Sequence, residues 1–150
     1  MDGKPRFDLN QFDEGYFRLR ERVIAARERG IYVSIILFGG YVEVSEWPGN
    51  SFNSKNNING IDGDLNGDGK GDSQIIPLPD GVDIIQKAYV RKVIDTVSDL
   101  DNVLFEISNE SESSSVGWQS QLISYIKGYQ SGALAVNGSM LRQNTSSSFS

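Results

Sequence analysis

The sequence predicts an α/β chain in which parallel strands alternate with helices and which is incomplete as an isolated sheet. Three observations predict it. Two amphipathic helical stripes each run through a short turn into an apolar run, IYVSIILF and VLFEISNE, and the connections from strand to helix are the longer ones. Short helix-to-strand turns with long strand-to-helix loops are the mark of parallel βα units. Two parallel strands cannot make a sheet that buries both faces, so the chain reads as the middle of a larger α/β domain.

The first helix is expected over Asp13 to Arg29. Phe12, Tyr16, Leu19, Val23 and Ala26 fall on one stripe, while Arg18, Glu21, Arg22 and Arg29 face water. Asp13 suits an N-cap and Gly30 the left-handed stop. Ile31 to Phe38 follows as a β-branched, nearly all apolar strand, as expected where both faces are covered. From Gly39 to Pro79 the chain turns to Gly, Asn, Asp and Ser with no sustained period. Loops of that length are usually functional. A second helix, about Asp80 to Leu100, carries the stripe Val82, Ile85, Tyr89, Val93, Val97 and Leu100. Asp101 and Asn102 turn the chain into a strand from Val103 to Ser108, and Trp118, Leu122, Ile126 and Tyr129 mark a third helix. Residues 1–130 thus form one unit, and 131–150, without a period and Ser-rich, read as a poorly ordered tail.

The formal net charge of -6 and a pI near 4.6 argue against nucleic acid, whose phosphates want a basic face. The chain has neither cysteine nor histidine. That excludes disulfides, thiol nucleophiles, Ser-His-Asp triads and the usual zinc sites. Catalysis is left to carboxylates, hydroxyls, lysine, tyrosine or an oxygen-bound metal. No apolar run is long enough to cross a bilayer, and MDGKPRFDLN lacks the apolar segment of a secretion signal. Either the protein stays inside or the true start lies upstream of Met1.

Three constellations carry candidate chemistry. The first is Asn109-Glu110, expected at the C-terminal end of a parallel strand, where α/β folds collect their active sites. A carboxyl beside a hydrogen-bonding amide can donate a proton to a leaving group; the competing reading is the start of a surface loop. Glu106, on the same side as Ser108 and Glu110 by strand alternation, reads as a structural interior carboxylate. The second constellation is DGDLNGDGKGD. Asp64, Asn66, Asp68, Gly69 and Asp72 match positions one, three, five, six and nine of an EF-hand-type calcium loop, so a structural Ca2+ is one expectation. Ile75 stands where the twelfth position needs a bidentate acid, no helix precedes the loop, and an acidic solvated turn is the alternative. The third is aromatic. Phe38, Tyr41, Trp47 and Phe52 lie at or beyond the end of the first strand and could stack on sugar rings as substrate-binding residues, or pack within the loop. No phosphate-binding glycine loop is present.

FEISNE resembles the fourth-strand signature of clan A glycoside hydrolases, the cellulase-like (β/α)8 barrels of family 5 type. DLNQFDEGYFRLRERVIAARERGIYVSIILF, FNSKNNINGIDGDLNGDGKGD and AYVRKVIDTVSDLDNVLFEISNES are similar to a bacterial subgroup of these enzymes, so the resemblance runs from about Phe7 to about Tyr129. It implies a partial TIM barrel, from the second helix to the fourth, taken from a retaining O-glycosyl hydrolase of β-linked poly- or oligosaccharide. By position Glu110 is the general acid/base and Asn109 holds the substrate's 2-hydroxyl. The resemblance puts the nucleophile, a Glu, at the end of a seventh strand, which this chain does not contain, and neither Glu43 nor Glu46 matches it. No cofactor is required for that chemistry. The resemblance also suggests a secreted or periplasmic enzyme of carbohydrate metabolism, with exposed sheet edges open to self-association. Two readings of other classes compete. One is a non-enzymatic, calcium-stabilised module that binds carbohydrate or protein, and the other an inactive truncated gene fragment.

Overall fold

A computed structural model describes residues 13–40, 42–57, 59–133 and 140–142. The element order is α1 (Asp13–Arg27), β1 (Val33–Gly39), α2 (Val82–Val97), β2 (Val103–Asn109), α3 (Val116–Ala133) and β3 (Met140–Arg142). β1 and β2 pair in parallel from Val33↔Val103 to Gly39↔Asn109, so the two strands end level. β3 adds three residues to the far side of β2, opposite Leu104, Phe105 and Glu106.

The expectation of a partial (β/α)8 barrel is not met. Among the described residues there are two full parallel strands, one three-residue strand and three helices. A barrel interior is filled by layers of side chains from its strands. Here the face of β1 and β2 turned away from the helices carries Ile36, 49 % exposed, and a partly exposed Glu106. Alternation of helices with parallel strands is common to many α/β arrangements and does not by itself select a barrel. The same open face corrects the expectation that β1 is covered on both sides.

The core lies on one face only. Ile35 and Leu37 of β1 with Val103, Phe105 and Ile107 of β2 meet Val23 of α1, Val90, Val93, Ile94 and Val97 of α2, and Trp118, Leu122 and Ile126 of α3. Each helix contributes residues three or four apart, the spacing that makes one helical stripe. α2 departs in part from its expected stripe, because Gln86, Val90 and Ile94 are buried while Ile85 and Tyr89 are half-buried. The polar Gln86 is tolerated because its amide is fully used. Its Nε2 donates to the Ser73 carbonyl (2.7 Å) and its Oε1 accepts from Trp118 Nε1 (2.9 Å).

The turns explain why β1 starts at Val33 rather than Ile31. Gly30 takes φ +68, and Gly30 N and Ile31 N donate back to Arg27 O and Ala26 O, closing α1. Ile31 and Tyr32 then cross the surface, both exposed. Asn102 is the joint between the halves: its side-chain amide donates to Val23 O and Ile31 O, and its main-chain carbonyl accepts from Val33 N. Of the stretch 131–150, residues 131–133 finish α3, Met140–Arg142 pair with β2, and the rest of the tail reading lies outside the described residues.

Arg20 of α1 ties down the turn after α2. It donates to Thr96 O (2.7 Å) and makes a two-pronged bond to Asp99 (2.6 and 2.7 Å). Those bonds hold the Asp99 carboxyl down to about 2 from 3.8. A depressed carboxyl contributes stability above its unfolded value and loses it as pH falls through the folded one. Acid titration of stability should therefore show a loss between pH 3.8 and about 2 that Arg20→Ala abolishes. The pair is solvent-exposed, so the step should be below about 1 kcal/mol in urea melts at each pH.

Candidate functional site at the C-terminal strand edge

Residues 40–81 run from the end of β1 to the start of α2 with almost no helix or strand of their own. Their backbone groups must find partners elsewhere, and asparagine side chains supply many of them. Asn57, buried, donates to Ser51 O, Asn53 O and Ile61 O and accepts from Asn59 N and Ile61 N. Asn56 donates to Pro48 O and Asn50 O, and Asn53 to Trp47 O. Trp47 is 3 % exposed, and its ring lies against Gly63 and Gly71, where a Cβ would overlap the indole. The ring is thus occupied by loop packing.

The end of this loop is fastened to both strand ends. Gln74, 6 % exposed, donates from Nε2 to the carbonyl of Gly39 (2.6 Å) and accepts at Oε1 from Ser111 Oγ (2.8 Å). Ser111 Oγ is also bonded to Ser108 Oγ, and both serines are fully buried. Glu110 sits inside this frame. It is exposed and has φ +56, the one non-glycine among the described residues with a left-handed backbone. Such a conformation costs about 1–3 kcal/mol and persists where its surroundings over-determine it. Here Gly40 N donates to Asn109 O (2.9 Å), and Gly40 lies so close beneath Glu110 that a Cβ would overlap the Glu110 carbonyl.

Asn109 and Glu110 therefore stand together at the C-terminal strand edge, as the sequence led us to expect of their position. The left-handed backbone ends the strand alternation that links Glu106, Ser108 and Glu110. Glu106 stays on the open sheet face and Ser108 is covered by the Gln74–Ser111 link. The candidate aromatics do not gather around Glu110. Phe38 stacks edge-on against Tyr89 (5.5 Å) and Trp118 (5.3 Å), and Tyr41 lies outside the described residues. Phe38 and Phe52 both line a cleft of about 880 Å3 that borders β1, with Tyr16 and Leu19 of α1 and Ile85 and Tyr89 of α2. Neither Asn109 nor Glu110 lines it.

Three further charges meet beside the site. Lys70 reaches Glu43, after β1, at 2.6 Å and Glu112, after β2, at 3.1 Å. The hydrogen bond shared with Glu43, then the one from Lys70, hold the Glu112 carboxyl below its usual range, and the two acids raise Lys70. This cluster straps the acidic loop to the β2–α3 connection. Sequence reasoning left Lys70, Glu112 and Gln74 unremarked, because their roles depend on distant partners, Lys70 and Glu112 lying 42 residues apart.

The acidic loop closes on itself. Asp64 accepts from Gly67 N and Asp68 N at Oδ1 and from Gly69 N at Oδ2, Asn66 bonds Asp68, and Asp72 accepts from Leu65 N. Among the described residues no group of three or more acidic side chains is placed to hold a metal ion. Asp64, Asn66, Asp68 and Asp72 share this one turn, and their side chains are engaged within it. Also among the described residues, no helix is long and apolar enough to cross a membrane.

Compared with family models, curated proteins and solved structures, the chain matches none.

Two measurements check this geometry. Gly40→Ala should destabilise the chain by about 2 kcal/mol or more, because backbone rather than a yielding side chain opposes the methyl. Gly128→Ala, in α3 with open space around it, should be neutral or stabilise by up to about 1 kcal/mol in the same urea melts. Calorimetric titration with calcium decides the acidic loop: saturable heat below about 1 mM, the weak end of protein calcium sites, assigns it an ion, and its absence leaves an acidic turn.

Proposed function

We propose that this chain carries the acid/base half of a retaining glycoside hydrolase acting on β-linked poly- or oligosaccharide. Glu110 is the general acid/base, and Asn109 hydrogen-bonds the 2-hydroxyl of the sugar at the scissile bond. The observation that carries the reading is the left-handed Glu110 at the level ends of two parallel strands, propped by Gly40 and flanked by buried hydrogen bonds. Ligands of parallel α/β sheets bind outside the carboxyl ends of the strands, and stored backbone strain clusters at functional sites.

In the first step the Glu110 carboxyl donates its proton to the glycosidic oxygen as that C–O bond breaks and a second carboxylate bonds the anomeric carbon. In the second, the Glu110 carboxylate takes a proton from the water that displaces the second carboxylate. Retention requires the two carboxyl groups about 5 Å apart. No acid among the residues discussed is assigned that second role, Glu43 and Glu112 being held by Lys70. The exposure of Glu110 leaves it open to a large substrate.

A second reading is a carbohydrate- or protein-binding module without catalysis. It is favoured by the cleft along β1, which contains Phe38 and Phe52 but not the acid.

Titration of the isotope-labelled chain with a β-linked gluco-oligosaccharide separates the two. The hydrolase reading expects saturable shifts centred on Gly40, Asn109, Glu110 and Ser111; the binding reading expects them on Phe38, Phe52 and Tyr89. Hydrolysis of an aryl β-glycoside bearing a poor leaving group should fall about 10²- to 10⁴-fold in Glu110→Gln, the usual worth of general acid catalysis. Turnover at an unchanged rate in that variant would overturn the assignment of Glu110.

A further inference from the structure

We propose that Gln74 is a positioning residue for Glu110, an inference that rests on the reading of Glu110 as acid/base but has a readout independent of it. Gln74 belongs to neither strand and lies 35 residues from Gly39 and 37 from Ser111 in sequence. Its buried amide nonetheless bonds the chain on each side of Glu110. Nε2 holds the carbonyl of Gly39, which is in register with Asn109, and Oε1 holds the hydroxyl of Ser111, the residue after Glu110.

The backbone around Glu110 needs that brace. Gly40 and Glu110 are in contact with no room for a Cβ, so a small separation of the two strand ends releases the contact that sustains φ +56. The Gly40 N–H bond to Asn109 O links the strand ends from the main chain, and the Gln74 amide links them from the loop side. Ser111 cannot turn away while its hydroxyl is bonded to both Gln74 and Ser108. With the amide removed, Gly39 O and Ser111 Oγ lose a shared partner and Glu110 can relax to an ordinary backbone. The carboxyl would then leave the strand edge while the core beneath, built from α1, α2, α3 and the opposite sheet face, stays intact.

Three variants of the full chain test this. Gln74→Met keeps the length and removes both bonds; Ser111→Ala removes one of them from the Glu110 side; Gln74→Glu is the conservative replacement. The first readout is the HN–Hα coupling and Cα shift of Glu110, which report the left-handed φ, together with amide exchange at Gly40. Gln74→Met and Ser111→Ala should lose the left-handed signature and exchange the Gly40 amide about tenfold faster or more, with amides of α3 unchanged. In Gln74→Glu the introduced carboxyl, when protonated, can donate to Gly39 O and accept from Ser111. The wild-type signature should therefore return at acid pH and vanish as that carboxyl ionises, which a loop anchor without effect on Glu110 would not produce. The second readout is catalytic: kcat should fall about 10²-fold with KM unchanged, the scale of a misplaced reacting group.

An unchanged Glu110 signature in a folded Gln74→Met or Ser111→Ala variant overturns the proposal. If Gln74→Met does not fold, the pH response of Gln74→Glu decides, and a signature indifferent to pH is the overturning result. A wild-type chain that neither binds nor cleaves the oligosaccharide rejects the hydrolase reading. The backbone signature then still decides whether Gln74 holds Glu110.

Discussion

The buried amide of Gln86 is the interaction on which the C-terminal edge of the sheet depends. It joins the indole of Trp118, at the start of α3, to the main chain of Ser73 in the loop. A buried indole N–H or backbone carbonyl left without a partner costs about 1–3 kcal/mol, and one amide satisfies both. The neighbouring residue, Gln74, is thereby delivered to the strand ends. Two adjacent loop residues, held by one side chain and extending another, so connect the hydrophobic core to the only strained non-glycine among the described residues.

That arrangement separates stability from function along the strands. Val103, Phe105 and Ile107 of β2 point to the helices and are almost fully buried, as hydrophobic burial at about 25 cal/mol per Å2 favours. The alternate residues, Leu104, Glu106 and Ser108, are under no such demand, and only Ser108 is covered. A carboxylate at Glu106 is thus tolerated because it lies on an open face. Glu110 lies beyond the pairing altogether, where the chain has turned left-handed. Glu106 and Glu110 thus occupy different physical situations, and the surroundings of Glu110 hold its backbone left-handed.

Much of the frame was legible in the sequence. Helical stripes, Gly30 as a stop, the Asn102 turn and the parallel strand ends follow from local periodicity and turn chemistry, and they placed Asn109-Glu110 on the correct edge. Ile31 and Tyr32 misled because β-branched and aromatic residues suit a strand whether or not one is hydrogen-bonded there. The barrel was not legible, because the number and closure of strands is a property of neighbours that a helix-strand rhythm does not encode. The loop was read by composition as tight acidic turns or calcium ligands. Its asparagines instead bond main-chain carbonyls at chosen distances, and Trp47 is enclosed because Gly63 and Gly71 leave room for its ring. Those bonds join residues whose separations carry no period, so no window along the chain displays them.

The distance between the cleft and the acid bears on how any substrate would be held. The cleft borders β1 and Glu110, after β2, is not among its lining residues, so a ligand seated wholly in the cleft would not present a bond to the carboxyl. Several polar groups along the cleft are already committed, Asn57 to three carbonyls and Gln74 and Gln86 to two partners each. A sugar needs free donors and acceptors, and the lining offers mainly aromatic and aliphatic surface. Glu110, exposed and free of the Lys70 cluster, is where an incoming hydroxyl or glycosidic oxygen finds an uncommitted carboxyl. The edge therefore presents an exposed carboxyl, and the cleft is left mainly to apolar contact.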